Sequence, residues 1–251
     1  MKKVSMVFGV AIFLGAGVYA QDSKIESDRP GETNAASLAE KGYLHLETGF
    51  RKDWQKHGDY VLLNPEATIR YGLVKRIELR VKLMAETDKF YSKQDYRYGL
   101  MPVKFGFKAQ IAEEKGLLPQ TSFLGEVGIP KLASESHQTD HVPAELRLLF
   151  ENTLQKKLKL NYNVATEWDG DGTDPDWLYS ISPEFEISEK LSVFLEEYGI
   201  MHNGEKPEHY VDGGIEYYLA RNIKIDLFGG IGLSSEASDY FISSGVSFRF
   251  K

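Results

Sequence analysis

The chain has no cysteine in its 251 residues, which excludes disulfide staples, thiolate metal sites, thiol nucleophiles and a lipid-modified N-terminal cysteine. It lacks a concentrated basic face. The formal net charge is −7, and phosphate binding needs dense positive charge, so no nucleic-acid partner is expected. Helix signals are few. After Ala20 no apolar stretch approaches the ~20 residues of a membrane-spanning helix. No Gly-x-Ser-x-Gly turn stands between a strand and a helix, and no serine–histidine pair is marked as a triad. The chain is therefore expected to carry no catalytic residues and no cofactor, and not to be an enzyme.

What is abundant is glycine and aromatic side chains, with Gly 23, Tyr 14 and Phe 14, as an all-β protein uses. Met1-Lys2-Lys3 is a short basic start, and an apolar run follows from Val4 to Val18. Val18-Tyr19-Ala20 offers small residues where a signal peptidase cuts. Residues 1–20 thus read as a cleaved signal peptide, too short and too terminal for a comfortable membrane anchor. Residues 21–41 are polar and punctuated by Asp28-Arg29-Pro30-Gly31, an extended lead-in or plug segment. With no helix to span a bilayer, an exported chain either stays soluble or crosses as a closed barrel.

From Gly42 onward a period of two takes over. Ile77, Leu79, Val81, Leu83 and Ala85 alternate with Glu78, Arg80, Lys82, Met84 and Glu86. Ala144, Leu146, Leu148 and Phe150 oppose Glu145, Arg147 and Glu151, and Tyr179, Ile181, Phe185 and Ile187 oppose Ser180, Ser182, Glu184 and Glu186. Such alternation sends one set to each face of a strand, whereas a helix needs apolar residues three and four apart. Counted to Phe250 it gives about twelve strands, with a bulge expected near Glu196-Glu197 and with Pro65 and Pro183 inside strands, where each removes a ladder donor. Connections alternate in length. Short ones fall at 72–76, 154–157, 188–190 and 220–222, with 110–117 somewhat longer; long polar ones fall at 52–59, 87–99, 130–142, 169–176 and 201–209. Short turns on one side and long loops on the other are the habit of bacterial outer-membrane barrels. The expectation is an antiparallel up-and-down transmembrane β-barrel over residues 42–251 in the bacterial outer membrane; a soluble β-sandwich would instead bury the apolar face between sheets.

Facing follows from cost. A Lys or Arg at mid-bilayer costs roughly 2–4 kcal/mol, so the charged set must face the lumen. Expected lumen residues are Glu66, Arg70, Glu78, Arg80, Lys82, Lys104, Glu126, Glu145, Arg147 and Glu216, which form either a salt-bridge network that fills a narrow interior or a polar pathway for small solutes. Tyr71, Trp168, Tyr179, Tyr240 and Phe250 are placed for interfacial girdles. The acidic loop 169–176 does not have the spacing of a helix-loop-helix calcium site and reads as solvated. His137 and His141, near Glu135 and Asp140, lack an element to align them as metal ligands, so no metal is assigned.

Several short blocks together resemble the MetA-pathway of phenol degradation family of outer-membrane transporters. They are Asp28 to Thr33, Gly42 to Gly49, Ile77 to Arg80, Phe194 to Gly199, Asp212 to Leu219 and the closing hairpin from Asn222 to Phe250. The resemblance implies a barrel and movement of small molecules, aromatic or apolar ones included, across the outer membrane. The expected partners are outer-membrane lipid, the barrel-assembly machinery and a small-molecule solute. The alternatives are a non-conducting structural or surface-interaction barrel and an outer-membrane hydrolase. Phe250 is followed by Lys251, where many barrels end on the aromatic residue itself.

Overall fold

The computed structural model describes residues 23–55, 58–90 and 95–251. The signal-peptide assignment falls outside the described residues. The strands are β1 (Leu44–Trp54), β2 (Tyr60–Val74), β3 (Ile77–Phe90), β4 (Asp95–Leu100), β5 (Val103–Ala112), β6 (Gln120–Ile129), β7 (Ala144–Gln155), β8 (Leu158–Trp168), β9 (Asp176–Ser188), β10 (Leu191–Met201), β11 (Glu208–Ala220), β12 (Ile223–Gly232) and β13 (Tyr240–Phe250). Every pairing between these strands is antiparallel, and β1 pairs with both β2 and β13, so the sheet closes. β4 pairs with the upper part of β3, from Ala85 to Phe90, and β5 with its lower part, from Ile77 to Lys82. These two segments share one place, so thirteen strands occupy twelve positions around a closed up-and-down barrel.

Closure is what lets such a chain cross lipid, because no edge keeps unpaired backbone groups. The alternation sets the faces. Along β7, Glu145, Arg147 and Glu151 are buried while Leu146 and Leu148 are exposed. Along β12, Lys224, Asp226 and Phe228 are buried between exposed Ile225 and Leu227. An apolar surface with a charged interior inverts a soluble core, and only a hydrocarbon solvent makes that arrangement the stable one. Trp168, Tyr179 and Tyr240 lie toward the long-loop end, and Tyr71 and Phe250 toward the short-turn end. Trp54 stacks on Tyr240 with ring centroids 4.7 Å apart. The short turns mark the periplasmic end.

The structure departs from the sequence reading in four places. Residues 87–99 are not simply a loop: β3 continues to Phe90 and β4 begins at Asp95. No bulge falls at Glu196-Glu197, where the register with β9 and β11 runs on unshifted; the slip is between Leu191 and Ser192. Glu196 points inward at 1% exposure and its neighbour Glu197 outward, where the Tyr179 hydroxyl donates to it at 2.6 Å. Two adjacent carboxylates on opposite faces only mimic a bulge. The third departure is that some apolar residues face in, among them Leu124, Leu149, Phe194, Phe228 and Phe241. Fourth, the two prolines have different solutions. The β2–β3 register shifts between Leu63 and Glu66, around Pro65. Pro183 pairs with Leu160 of β8, and the β10 pairing is interrupted beside it and resumes in register.

The facing yields a direct test. Leu227 sits mid-strand among Ile215 and Ser244, and Phe250 at the periplasmic end. Leu227→Arg should destabilise the barrel folded in bilayers by about 2–4 kcal/mol, and Phe250→Arg by about 0–1 kcal/mol. Urea titrations of folding into phosphatidylcholine vesicles measure both, and equal losses would contradict the assignment.

Candidate functional site

The interior is organised around residues 23–41, which run inside the barrel. The segment enters at the periplasmic rim. There the Ser23 carbonyl accepts from Arg249 at 2.7 Å, and the Ile25 N–H donates to the carbonyl of Arg221 in the β11–β12 turn at 2.8 Å. It rises to mid-barrel at Asp28 to Asn34. It then descends past Ser122 and Lys108 to Gly72, whose carbonyl accepts from the Gly42 N–H at 2.7 Å. Both ends of the excursion therefore lie on the periplasmic side.

A segment without a strand neighbour leaves its N–H and C=O groups unpaired, at a cost of a few kcal/mol each if buried dry. The wall supplies the partners. Glu47 accepts from the N–H groups of Asp28 and Arg29 at 3.0 and 3.3 Å, and Glu196 from those of Glu32 and Thr33 at 2.8 and 2.6 Å. Glu78 accepts from the Ala39 N–H at 2.6 Å, and Asn163 both accepts from and donates to the Asn34 backbone. Carbonyls of the segment are capped by wall cations: Lys224 on Arg29 at 2.7 Å, Arg147 on Glu32 at 2.8 Å, and Lys108 on Ala35 at 3.0 Å.

Lys24, Glu26, Glu32 and Glu40 each pair with the wall, on Glu186, Lys159, Arg147 and Arg249, and Asp28 and Arg29 each make several ion pairs at once. The Asp28 carboxylate accepts from Arg80 and, at 2.7 Å, from Lys108, with Arg70 at 3.7 Å. Arg70 and Arg80 are held in turn by Glu47, Glu78 and Glu126 at 2.7–2.9 Å. The Arg29 guanidinium spans Asp226 at 3.0 Å, Glu66 at 3.2 Å and Ser243 at 3.0 Å. It fits because Gly49 and Gly245, paired across β1 and β13, have no side chain: a Cβ would lie 2.4 and 2.3 Å from its atoms. Gly31 is required by the chain itself, with φ +90°. That turn aims the following two N–H groups at Glu196, and a Cβ there would lie 2.8 Å from the Glu196 carboxylate.

The segment separates two interior cavities. The outer one, about 250 Å³, is lined by Glu66, Arg80, Lys82, Lys104, Glu126, Glu145 and Arg147 from the wall and by Asp28, Arg29 and Glu32 from the segment. The inner one, about 300 Å³, is lined by Glu151, Lys159, Glu186, Glu216, Tyr218 and Lys224. Eight of the ten side chains singled out from the sequence line one or the other; Arg70 and Glu78 lie fully buried beneath the segment instead. Beside the outer cavity an aromatic cluster of Phe194, Tyr198, Tyr210, Phe228 and Phe241 fills the β10–β13 side. Phe228 reaches the cavity wall, Arg51 lies over Phe241 at 3.9 Å, and the Tyr210 hydroxyl accepts from the Ser238 N–H at 3.1 Å.

Sequence reasoning missed Glu47, Lys108, Asn163, Glu196, Asp226 and Lys224 as partners of the segment. Each sat in an inward register position, but only the segment's path shows what it binds. At the outer rim, the 169–176 loop folds on itself, with Asp169 accepting from the Asp171 and Gly172 N–H groups. His137 lies not with Glu135, Asp140 and His141 but against Glu86 and Asp88. Burial first, and then the Arg97 cation, push its pKa below the ordinary histidine value.

A closed sheet with an apolar outer belt, girdled by aromatics and filled by paired charges, defines an outer-membrane β-barrel. The chain belongs to the family described as "Putative MetA-pathway of phenol degradation", whose model matches residues 27–250. The fold is similar to that of the COG4313 outer membrane channel from Pseudomonas putida F1, with TM-score 0.63 at 9% identity over 88% of this chain and 99% of that one. It is similar also to the KdgM porin (0.52, 10%, 82% and 99%) and the NanC porin (0.51, 12%, 82% and 98%). At such identities the likeness is one of fold. No curated protein is similar to the chain in sequence.

Two outcomes test this interior. Asp28→Asn removes the charge shared by Arg80 and Lys108, so the segment should open more readily by about 3 kcal/mol. Amide hydrogen exchange over residues 23–41, read by mass spectrometry, should speed up by roughly two orders of magnitude or more. Exchange unchanged from wild type would show that Asp28 does not anchor the segment. The second test concerns His202, whose ring reaches Asp176 at 3.0 Å and Glu208 at 3.4 Å. Burial lowers its pKa, but the two carboxylates outweigh burial and raise it above the ordinary 6.5. The charged pair therefore stabilises the rim fully below about pH 6.5 and is lost as pH rises through the raised value. Protection of the 202–207 hairpin should fall across that window in wild type and show no such step in His202→Ala.

Proposed function

We propose that the chain is an outer-membrane channel for small solutes, aromatic or apolar ones included, gated by its own residues 23–41. The observation that carries this reading is the pair of interior cavities on either side of the segment. The segment is held mainly by hydrogen bonds and ion pairs, which water can replace, with only a small apolar cluster of Ala36 on Leu124 and Leu149. A structural filler would be expected to exclude space; this one leaves cavities of about 250 and 300 Å³. The outer cavity offers a solute the Phe228 face beside the guanidinium groups of Arg29 and Arg51, a setting for a small ring bearing a phenolate or carboxylate. The family's description names phenol degradation, and the COG4313 neighbour is titled an outer membrane channel; both support the reading. Glu66, Lys82, Lys104, Glu126, Glu145 and Arg147 would line the path above the segment and Glu216 the path below. No chemical step is assigned to any of them. Insertion would be the work of the barrel-assembly machinery, with outer-membrane lipid around the belt.

A second reading, a closed barrel acting through its outer loops, is favoured by the number of bonds that hold the segment. Liposomes carrying the mature barrel, loaded with benzoate and a small anionic dye, separate the two. Wild type should release solute slowly, and deletion of residues 23–40 should raise release at least tenfold while the heat-modifiable gel shift persists. No release from either barrel, with the shift intact, would sink the channel and leave the interaction barrel.

A further inference from the structure

We propose that Glu86, Asp88 and His137 form a binding site for one divalent transition-metal ion of the zinc class at the outer rim of the barrel. The inference is independent of the channel reading. Glu86 and Asp88 stand two residues apart on β3, so both project to its inner face. The connection from β6 to β7 lies along the free edge of β4. There the Ser134 N–H donates to Leu100 O at 2.9 Å, and Ser136 Oγ donates to Tyr98 O at 3.1 Å. That path brings His137 to the two carboxylates, and one ligand atom from each residue lies within 4.8 Å of the others.

Three further observations point to a cation rather than to a plain acidic cluster. First, His137 is 4% exposed, and its Nε2 has no hydrogen-bond partner among the described residues while facing Glu86 Oε1 at 3.8 Å. Second, Ser136 Oγ bridges the Tyr98 carbonyl at 3.1 Å and His137 Nδ1 at 2.8 Å. With its hydrogen on the carbonyl, it accepts from an Nδ1–H, the tautomer a metal at Nε2 requires. In that tautomer Nε2 presents its lone pair to the two carboxylates' side, oriented by the bond on the opposite nitrogen as in metal-ligating histidines. Third, Gly99 clears the seat, since a Cβ there would lie 2.6 Å from His137 Nδ1.

The donor set is two carboxylate oxygens and one imidazole nitrogen, which suits zinc better than calcium. Arg97 already bonds Asp88 at 2.7 Å and lies 3.8 Å from Glu86. Its side chain is 48% exposed and has water to swing into. It therefore acts as the competing cation, and an ion arriving at the site must displace it. Bound metal would pin the 130–143 connection across the edge of β4.

The full barrel, folded in detergent and stripped with EDTA, is titrated with zinc chloride and in parallel with calcium chloride by calorimetry. One equivalent of zinc should bind, with calcium at least tenfold weaker. His137→Ala and Glu86→Gln, each checked by the heat-modifiable gel shift, should weaken zinc binding at least tenfold. Arg97→Gln should tighten it severalfold, which no purely structural role for the arginine predicts, and it keeps the test alive should His137→Ala fail to fold. Absence of zinc binding to wild type would overturn the proposal. So would binding that survives both ligand substitutions, or binding lost instead in His202→Ala.

Discussion

An extended segment that enters a closed barrel has no strand left to pair with, and the interior of this protein follows from that constraint. The wall strands have already spent their N–H and C=O groups on each other. Apart from contacts at its ends, such as Ile25 N–H on the Arg221 carbonyl, side chains are left to satisfy the backbone of residues 23–41. Glu47, Glu78 and Glu196 are acceptors for segment amides before they are members of any salt bridge. Arg147, Lys108 and Lys224 are donors to segment carbonyls. Both signs are needed because a backbone presents both donors and acceptors, and once both are present they also pair with each other. The mixed charge of the lumen is thus a consequence of holding a peptide.

Such an interior is expensive to dehydrate. Buried ion pairs rarely repay their desolvation against a well-packed apolar alternative. An apolar alternative would serve a barrel whose lumen was permanently filled, and here the contacts that bind the segment are the kind that water substitutes at small net cost. Apolar contacts are local: Ala36 sits on Leu124 and Leu149, Ile25 is fully buried and Arg29 lies over Phe228, while the backbone of the segment mostly meets charged side chains. Energetically the segment resembles a bound ligand more than a core.

The fold was legible because its solvent is. Hydrocarbon outside and polar contents inside impose a strict period of two, and that period is the most robust signal a strand can carry. Where the reading failed, a side chain answered to something other than lipid or lumen water. Leu124 and Leu149 face in because Ala36 is there to meet them. Phe194, Phe228 and Phe241 face in because they pack on one another beneath the β12–β13 loop. Above the bilayer the rule lapses, so Thr87 and Asp88, both buried and polar, looked like the start of a loop while they continue β3. The candidate site was legible as a set of inward charges. Its division into segment clamp and cavity wall was not, since Arg70 and Arg80 have the same pattern in sequence and differ only in which part of residues 23–41 passes over them. His137 was visible as a possible ligand, but its partners lie some fifty residues earlier, brought near by the edge of β4.

The path of the segment also decides how it can move. Had it entered on one side and left on the other, removing it would mean threading the chain through the barrel. Instead Ser23 and Gly42 both lie at the periplasmic rim, and Asp28 to Asn34 form the top of an excursion between them. In the gating proposed above, withdrawal toward the periplasm would break Asp28 and Arg29 from the wall, leave β1 and its ladder to β2 and β13 in place, and join the outer cavity to the inner one. Arg29 is the pivotal contact, since it alone touches Asp226 on β12, Glu66 on β2 and the face of Phe228 at 5.9 Å. A solute that competes for the Phe228 face and the Arg29 guanidinium from above would therefore loosen the segment from the wall and free the path that it closes.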